Sequence, residues 1–451
     1  MMISTSDRIS TLRSLIRLLT DASEIVISEW EAADARGTDG HTKDNVPSRE
    51  LYDAQRIFIG ACGMCLDIVD EPLNRILDIN YAIVAARSLF LAVQTNIPDI
   101  LDAATASGGV SVSELSRQIG ARETDLARML RLLSSKNIFT EVRQDHFING
   151  HIGQVLVKNK PAQCMVLLPG IDELFRSIQH LPAAALDTSS TRSAFQKAIG
   201  ADLGYFEYFA QGIKHDDGSV SRHPVLDVFP MAMAGFNQGC SPALIADFPW
   251  ASLGSGAATI VDVGGGVGSM SLDLAKAFPH LRFVVQDLPD TIEQAKVVWQ
   301  TGCPEAVRTG RVQLLAHDFF AEQPVKGADA YLLRYLLHDW PEDQCVAILS
   351  RLREAMNPES RILVAEMIIH PTSGSSLLKS APKPLPANYG YAHFGKDTMD
   401  VVMLALFSGM ERTPEQFARI AGRAGLAIKN IWECRGPAGI VEMCAATVSK
   451  M

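Results

Sequence analysis

IVDVGGGVGS, Ile260 to Ser269, with FVVQDLP following at Phe283 to Pro289, decides the fold of this chain. Ile260 to Val263 is a short, mostly apolar run suited to a buried parallel strand. Gly264, Gly265, Gly266 and Gly268 then permit a tight turn and a close approach of backbone to a ligand. Ser269 to Ala277 reads as the next helix, whose free N–H groups point at whatever lies over the glycines. Phe283 to Val285 is the following strand. Asp287 lies just past its end, where a carboxylate can accept two hydrogen bonds from a ribose diol. The unit is expected to bind an adenosine-bearing cofactor.

Spacing narrows the choice. A dinucleotide fingerprint wants its third glycine three residues after the second, and that position here is Ser269. Gly264, Gly266 and Gly268 form G-x-G-x-G instead, which suits a ligand without a pyrophosphate. S-adenosylmethionine is the candidate.

The 451 residues suit two or three domains. A hydrophobic content of 47% and a charged content of 20% describe an ordinary globular chain. A net charge of −10 argues against a nucleic-acid surface, which needs a basic face. The eight cysteines lack the spacing of a disulfide framework. Cys62 and Cys65 form a C-x-x-C with no second pair or nearby histidine to complete a zinc site, so half-buried helix cysteines are expected and no metal. There is no unbroken run of eighteen apolar residues and no signal pattern at the N-terminus, so a cytoplasmic protein with no membrane partner is expected.

Helical spacing of Ile9, Leu12, Leu15, Ile16 and Leu19 marks a first helix over Ser6 to Glu29. Ala33 to Pro47 reads as a polar loop, and helical periodicity resumes over Glu50 to Asp70 and Asn80 to Gln94. The small-residue face of that last segment suits packing against a partner chain. Val110 to Phe147 reads as a winged helix: a helix in SELSRQI, a turn at Gly120 and Ala121, a second helix from Thr124 to Ser134, and a two-stranded wing in FTEVRQDHFIN. Arg122, Arg128 and Arg131 would be available for phosphates, but the acidity of the chain favours a scaffold for dimer contacts over DNA binding. Val155 to Trp250 is mostly helical and rich in aromatics and methionines; most of these are expected in its core and a few along a substrate pocket, Phe195, Phe206 and Met231 among them. Apolar runs beginning at Ile260, Phe283, Val312, Ala330, Ile362 and Ile428 alternate with helical stretches, the grammar of a doubly wound sheet. Pro371 to Lys396 interrupts it as a surface insertion near the pocket.

Ligands of open α/β sheets bind beyond the carboxyl ends of the strands, so polar residues there are the candidates for chemistry. After VQLLA, Asp318 could accept from an adenine amino group while Phe319 covers a ring face; an N-cap beside a core ring is the plainer alternative. Arg334 could reach a ligand carboxylate or lie over the surface. His338 precedes Asp339, Trp340 and Pro341, where the chain turns into a helix. Neutral imidazole there can take a proton from a hydroxyl, though a histidine before a helix is often structural. Glu366, ending RILVAE, and Glu411, opening ERTPEQF, are each able to hold that ring by its second nitrogen and stabilise the imidazolium.

With these motifs in hand (DVGGGVG, QDLP, HDFF, RYLLHDW, AEMII and MDVVMLALFSGMERT) the chain resembles a class I S-adenosylmethionine-dependent O-methyltransferase of the plant caffeate and fungal natural-product type over most of its length after the first seventy-odd residues. The resemblance implies an α/β protein: an N-terminal all-helical, winged-helix dimerisation domain followed by a Rossmann-like doubly wound sheet. The corresponding boundaries are a helical extension over 1–75, a dimerisation and substrate-pocket domain over 76–250, and a catalytic domain over 251–451. It further implies a homodimer, a small aromatic or enolic acceptor, and S-adenosylhomocysteine as co-product. Gly264, Gly265, Gly266, Asp287, Leu288, Asp318, Phe319 and Arg334 match the cofactor contacts, with Arg334 standing where many plant members have Lys. His338 matches the general base, Glu366 and Glu411 its flanking acids, and the segment of Met399, Asp400, Met403 and Phe407 the acceptor-pocket wall. The N-terminal segment and the 371–396 insertion exceed the compact plant pattern; the extra helices are expected to extend the dimer interface. Some proteins of this fold keep the cofactor yet catalyse dehydration or pericyclic ring closure, with Arg or Lys tending to occupy the base position. His338 with both glutamates favours methyl transfer.

Overall fold

The computed structural model describes residues 4–35, 46–103, 108–254 and 256–446. The chain divides into two compact units, Asp70–Gln238 and the combination of Met1–Val69 with Gly239–Met451.

In the Asp70–Gln238 unit, the helices Val112–Ile119 and Glu123–Ser134 accompany a small sheet. Its strands are β1 (Val110–Ser111), β2 (Phe139–Arg143) and β3 (His146–Asn149), in the order β1-β3-β2. Ser111 caps the first helix by accepting from the Glu114 N–H, and Gly120 ends it in the left-handed region. Leu115, Leu126, Leu130, Leu133, Phe139 and Phe147 are all but fully buried together, which welds helices and wing into the winged helix expected. Arg122 and Arg131 are ion-paired to carboxylates, Arg122 with Asp125 and Arg131 with Glu141 and Asp145. A further hairpin joins β4 (Ile213–Lys214) to β5 (Val220–Ser221). The helix Pro72–Gln94 is long and apolar enough to cross a membrane by length and composition, and little of it is buried within the chain. Leu73, Ile76, Ile79, Tyr81, Ile83 and Val84 are all exposed along it.

The other unit is built on a seven-stranded sheet. Its strands are β6 (Thr259–Val263), β7 (Arg282–Asp287), β8 (Val312–Ala316), β9 (Ala330–Arg334), β10 (Arg361–Met367), β11 (Leu426–Trp432) and β12 (Ala438–Ala445). The order is β11-β12-β10-β9-β6-β7-β8. β6 to β10 are parallel, and β12 runs antiparallel between β10 and β11. Neighbouring residues within a strand point to opposite faces, yet both faces are buried. Ile260, Phe283, Leu332 and Leu363 pack on one side with Trp299, and Val261, Leu333, Ile362 and Val364 on the other with Phe417. This double cover is why the strands read as unbroken apolar runs. The order reverses between β6 and β9, so the crevice for a ligand opens at their carboxyl ends.

Helices Thr5–Ala35 and Arg49–Val69 pack against each other and belong to the unit that holds the large sheet. Leu15 and Ala61 are buried with Ala381, Leu385 and Tyr389, so the 371–396 insertion is the seat on which the N-terminal helices rest. Polar ties complete it: Arg435 donates to the Pro47 carbonyl at 2.7 Å, and Lys379 pairs with Asp53 at 2.8 Å. The polar stretch from Ala33 to Pro47 falls largely on residues 36–45, outside the described residues. Cys62 and Cys65 are half-buried free thiols on the Arg49–Val69 helix.

Candidate active site

Three strand ends converge at the crevice. The carboxyl end of β6 passes into the glycine loop, β9 ends at Arg334, and Arg334 lies beside Ala365 of β10 in register. Glu366 follows directly.

The loop folds as its glycines dictate. Gly266 takes φ 61°, a left-handed conformation that strains any residue with a Cβ. In that turn its N–H donates to Asp287 Oδ2 at 2.9 Å, while the Leu288 N–H donates to Oδ1 at 2.8 Å. Both oxygens of Asp287 are thereby aimed, each with a lone pair left over, at the end of β7. A Cβ on Gly265 would run into the Asp262 carboxylate, and one on Gly264 into Leu336, so the loop lies flat on what is beneath it. Around Gly266 a Cβ would meet nothing, which marks that side of the loop as open to a ligand. Phe319 stands beside the Gly264 backbone and packs edge-on to Trp340. Asp318 accepts from the Phe320 N–H at 2.9 Å, so one of its oxygens is used in its own turn. Leu288 is exposed.

Asp262, within the quoted motif but not singled out by it, is buried under the loop and accepts from the Ser271 hydroxyl at 2.6 Å. Burial pushes its carboxyl up to about 6, against the pull of Ser271 and of the Arg334 charge. The only clue in the sequence is a carboxylate inside an otherwise apolar strand.

His338 sits on a single turn of 3-10 helix, Leu337–Asp339, directly after β9. Tyr335, in the left-handed region at φ 48°, bends the chain out of the strand. The two glutamates then divide the work of holding the histidine. Glu366 Oε1 accepts three main-chain N–H groups, from Leu336 at 3.2 Å, Leu337 at 2.6 Å and His338 at 3.2 Å. It anchors the turn and not the ring. Glu411 Oε1 meets His338 Nδ1 at 2.8 Å. Glu411 is fully buried in its side chain and His338 nearly so. With Nδ1 committed to Glu411, Nε2 is the nitrogen left to exchange a proton; Asp339 Oδ1 stands 3.6 Å from it, beyond hydrogen-bond reach.

The segment that delivers Glu411 clamps the same turn. Gly409 lies so close to the His338 carbonyl oxygen that a Cβ would overlap it, and the next residue, Met410, donates its N–H to that oxygen at 2.9 Å. Arg412, all but fully buried, donates to the carbonyls of Leu337 and Trp340, both at 2.7 Å. Asp400 accepts the Glu411 N–H at 2.8 Å, so it positions that acid from the Phe394–Phe407 helix. Thr413 and Gln416 form a capping box that starts the following helix. Gly409 and Arg412 were visible in SGMERT, but a spacing cannot say which backbone they touch.

Electrostatics follow from this crowding. Burial opposes charge on His338, but the hydrogen bond and charge of Glu411, with Glu366 and Asp339 behind it, outweigh burial and raise its pKa to about 9. Burial raises Glu366 to about 7, opposed by the His338 charge and reinforced by Glu411.

Of the expected pocket residues, Met403 is buried, Met399 and Phe407 are half-buried, and all three lie with Asp400 on the Phe394–Phe407 helix. Phe195 is fully buried among Tyr205, Tyr208 and Phe209 in the other unit, where its ring fills a core. Phe206 and Met231 of that unit are exposed.

Comparison with known proteins adds a second line of observation. Residues 192–427 match the family model of an O-methyltransferase domain, and residues 77–159 that of an O-methyltransferase dimerisation domain. The chain is similar to the O-methyltransferase gedA of Aspergillus terreus, at 39% identity over 98% of both chains. Among solved structures, the mitomycin 7-O-methyltransferase MmcR aligns with a TM-score of 0.64 and 26% identity over 83% of this chain and 98% of its own. LepI, solved in complex with S-adenosylmethionine, aligns with a TM-score of 0.69 over 95% of this chain and 99% of its own; at 20% identity that likeness concerns the fold.

Proposed function

The chain belongs to the S-adenosylmethionine-dependent O-methyltransferase family, and from that premise we propose that it methylates a phenolic or enolic hydroxyl of a small natural product, with His338 as the general base. The observation that carries this reading is the 2.8 Å contact of Glu411 with His338 Nδ1, which leaves Nε2 as the basic nitrogen at the mouth of the sheet.

The cofactor fits what this chain offers: a flat glycine loop open above Gly266, and a carboxylate at Asp287 with both oxygens fixed. Asp287 would hold the ribose hydroxyls, Phe319 would cover a ring face, and Arg334 would face the carboxylate of the methionine portion. When bound, the cofactor supplies an electrophilic methyl group on a sulfonium. His338 takes the acceptor's proton on Nε2, and Glu411 offsets the positive charge that the ring then carries. Glu366 and Arg412 keep the turn from shifting as the charge moves. General-base assistance of this kind adds about 10²- to 10⁴-fold, and alignment of acceptor and donor supplies much of the remainder.

The raised pKa of His338 has a consequence for this chemistry. Near neutral pH His338 holds a proton in the free protein, and the positive charge that the cofactor would bring to the site would favour release of that proton, leaving Nε2 able to accept the acceptor's.

The reading extends to assembly. Most of the exposed apolar face of the Pro72–Gln94 helix, from residue 77 on, falls within the dimerisation-domain match, and covering it with a second copy would bury Ile79, Ile83 and Val84.

The test is calorimetric titration with S-adenosylmethionine and S-adenosylhomocysteine, followed by methyl-label transfer to a panel of phenols for wild type and His338→Ala. Cofactor binding retained with turnover lost supports the reading. Full turnover in the variant removes His338 from the role. Cofactor binding without label transfer to any acceptor, alongside ring closure or dehydration of the substrate, would replace methylation with those chemistries.

A further inference from the structure

Beneath the N-terminal helices lies a cavity with about 60 Å³ of water-accessible space, which shares no residue with the glycine loop or with His338, Glu366 and Glu411. By volume it holds a few waters or one small ion; a single water needs about 10–15 Å³ on this measure. Tyr52 and Arg56 reach it from the Arg49–Val69 helix, His370 from the stretch after β10, Asn388 and His393 from the insertion and Lys396 from the helix that follows, and Glu433 from beyond β11. The N-terminal helix and the insertion, the two segments that exceed the compact core of the fold, thus build one site together.

The lining is unusual in its balance. Arg56 stacks its guanidinium on the Tyr389 ring, 3.7 Å from the centroid. Yet among the described residues it makes no hydrogen bond, and its nearest carboxylates are Glu433 at 3.9 Å and Asp53 at 4.0 Å. Both of those acids have other partners: Asp53 pairs with Lys379 at 2.8 Å, and Glu433 accepts the Lys379 N–H at 2.9 Å. Lys396 has neither a hydrogen bond nor an ion pair among the described residues. Its ammonium is pushed down to about 8, first by burial and then by the Arg56 charge. His370 is buried, and its Nε2 has no hydrogen-bond partner. His393 Nε2 accepts the His370 main-chain N–H at 3.1 Å, so that nitrogen carries no proton, in keeping with a pKa driven down to about 3 by burial and then by Lys396. A guanidinium, an ammonium and the unpartnered imidazole of His370 therefore line one cavity whose lining includes a single carboxylate.

We propose that this cavity is a binding site for a small oxyanion, a carboxylate or a phosphate, held by the fork of Arg56, the ammonium of Lys396 and Nε2–H of His370. A planar guanidinium already fixed on an aromatic face loses little freedom when it takes up two oxygens of one anion. The anion also relieves the repulsion between Arg56 and Lys396, and gives the buried His370 nitrogen the partner it lacks. None of this requires the methyl-transfer reading, and binding is measurable with no cofactor present.

The experiment is isothermal titration of the full-length protein near neutral pH with sodium acetate and, separately, with inorganic phosphate. Wild type, Arg56→Gln and Lys396→Met are compared. One saturable equivalent of either probe in wild type, weakened at least tenfold in both variants, is the expected result. Acetate alone binding assigns the site to carboxylates, and phosphate alone to phosphoryl oxygens. Lys396→Met is the safer variant, because that ammonium makes no protein hydrogen bond whose loss could unfold the chain. No saturable binding of either probe, or binding undiminished in Lys396→Met, overturns the proposal.

Discussion

Glu366 holds His338 by its main chain: Oε1 accepts the His338 N–H at 3.2 Å along with those of the two residues before it, while the ring is left to another acid. Glu366→Ala leaves three N–H donors in a buried turn without an acceptor. A loss of about 3 kcal/mol is expected, since each such group costs roughly 1–3 kcal/mol and neighbours are not additive. Glu366→Gln keeps a carbonyl in the same place and should remain within about 1 kcal/mol of wild type. Urea unfolding of the two variants separates them; equal stabilities would refute the anchoring role.

Glu411 acts on the ring, and pH reports it. Protonated His338 cannot accept a proton, so kcat/KM should climb with pH and level off near the raised value of about 9. Glu411→Gln removes the strongest of the interactions that raise that value, so the limb should move to lower pH while the plateau falls. The stability linkage has the opposite slope. The folded pKa exceeds the ordinary 6.5, so the contribution of the pair is complete below pH 6.5 and disappears as pH rises through about 9. Rate profiles from pH 6 to 10 that are flat in both proteins would end this account.

Gly409 is a steric requirement of the turn that carries His338. Gly409→Ala places a methyl group on the His338 carbonyl oxygen and must displace either the turn or the Glu411 segment. Because a misplacement of about 1 Å can cost 10²-fold in rate, a fall of that order in kcat is expected, with cofactor affinity by calorimetry little changed. An active Gly409→Ala protein would show that the turn has room to move.

Leu15, fully buried, fixes the first helix against Ala61, Leu385 and Tyr389. Leu15→Ala should cost about 2–5 kcal/mol, and thermal unfolding of the unit with the large sheet should register it. A stability unchanged from wild type would mean that the N-terminal helices are a separate appendage.

The apolar face of the Pro72–Gln94 helix is tested with Ile79→Glu, at the most exposed of its isoleucines. Light scattering should report a dimer for wild type and a monomer for the variant. Identical masses for the two would move the interface elsewhere.

Much of this architecture was legible in the chain. The loop from Gly264 to Gly268, the helix after it and the acid at Asp287 follow one another in an order that local backbone rules impose, and six strands announced themselves as apolar runs, of which β6, β7, β9 and β10 are buried on both faces. β12 went unread, although Ile440, Val441 and Met443 are fully buried. It lies close behind β11 and pairs antiparallel, outside the alternation of strand and helix that guided the reading. His338, Glu366 and Glu411 could be nominated as neighbours, but which acid takes the ring depends on main-chain geometry that no spacing encodes. Asp400 was expected as a pocket wall, and it accepts the Glu411 N–H. Phe195, expected along a substrate pocket, packs against Tyr205 and Phe209. The docking of the helices Thr5–Ala35 and Arg49–Val69 on a segment more than three hundred positions away left no local trace at all.

That long-range docking sets the order in which the protein can come together. During synthesis the helices Thr5–Ala35 and Arg49–Val69 emerge with Leu15 and Ala61 uncovered, and the surface that will cover them, around Leu385 and Tyr389, is made more than three hundred residues later. Residues 70–238 have time to fold by themselves in the interval, while the leading segment waits as a sticky intermediate. Yield in a heterologous host should therefore depend on chaperone capacity more than on the stability of the finished molecule.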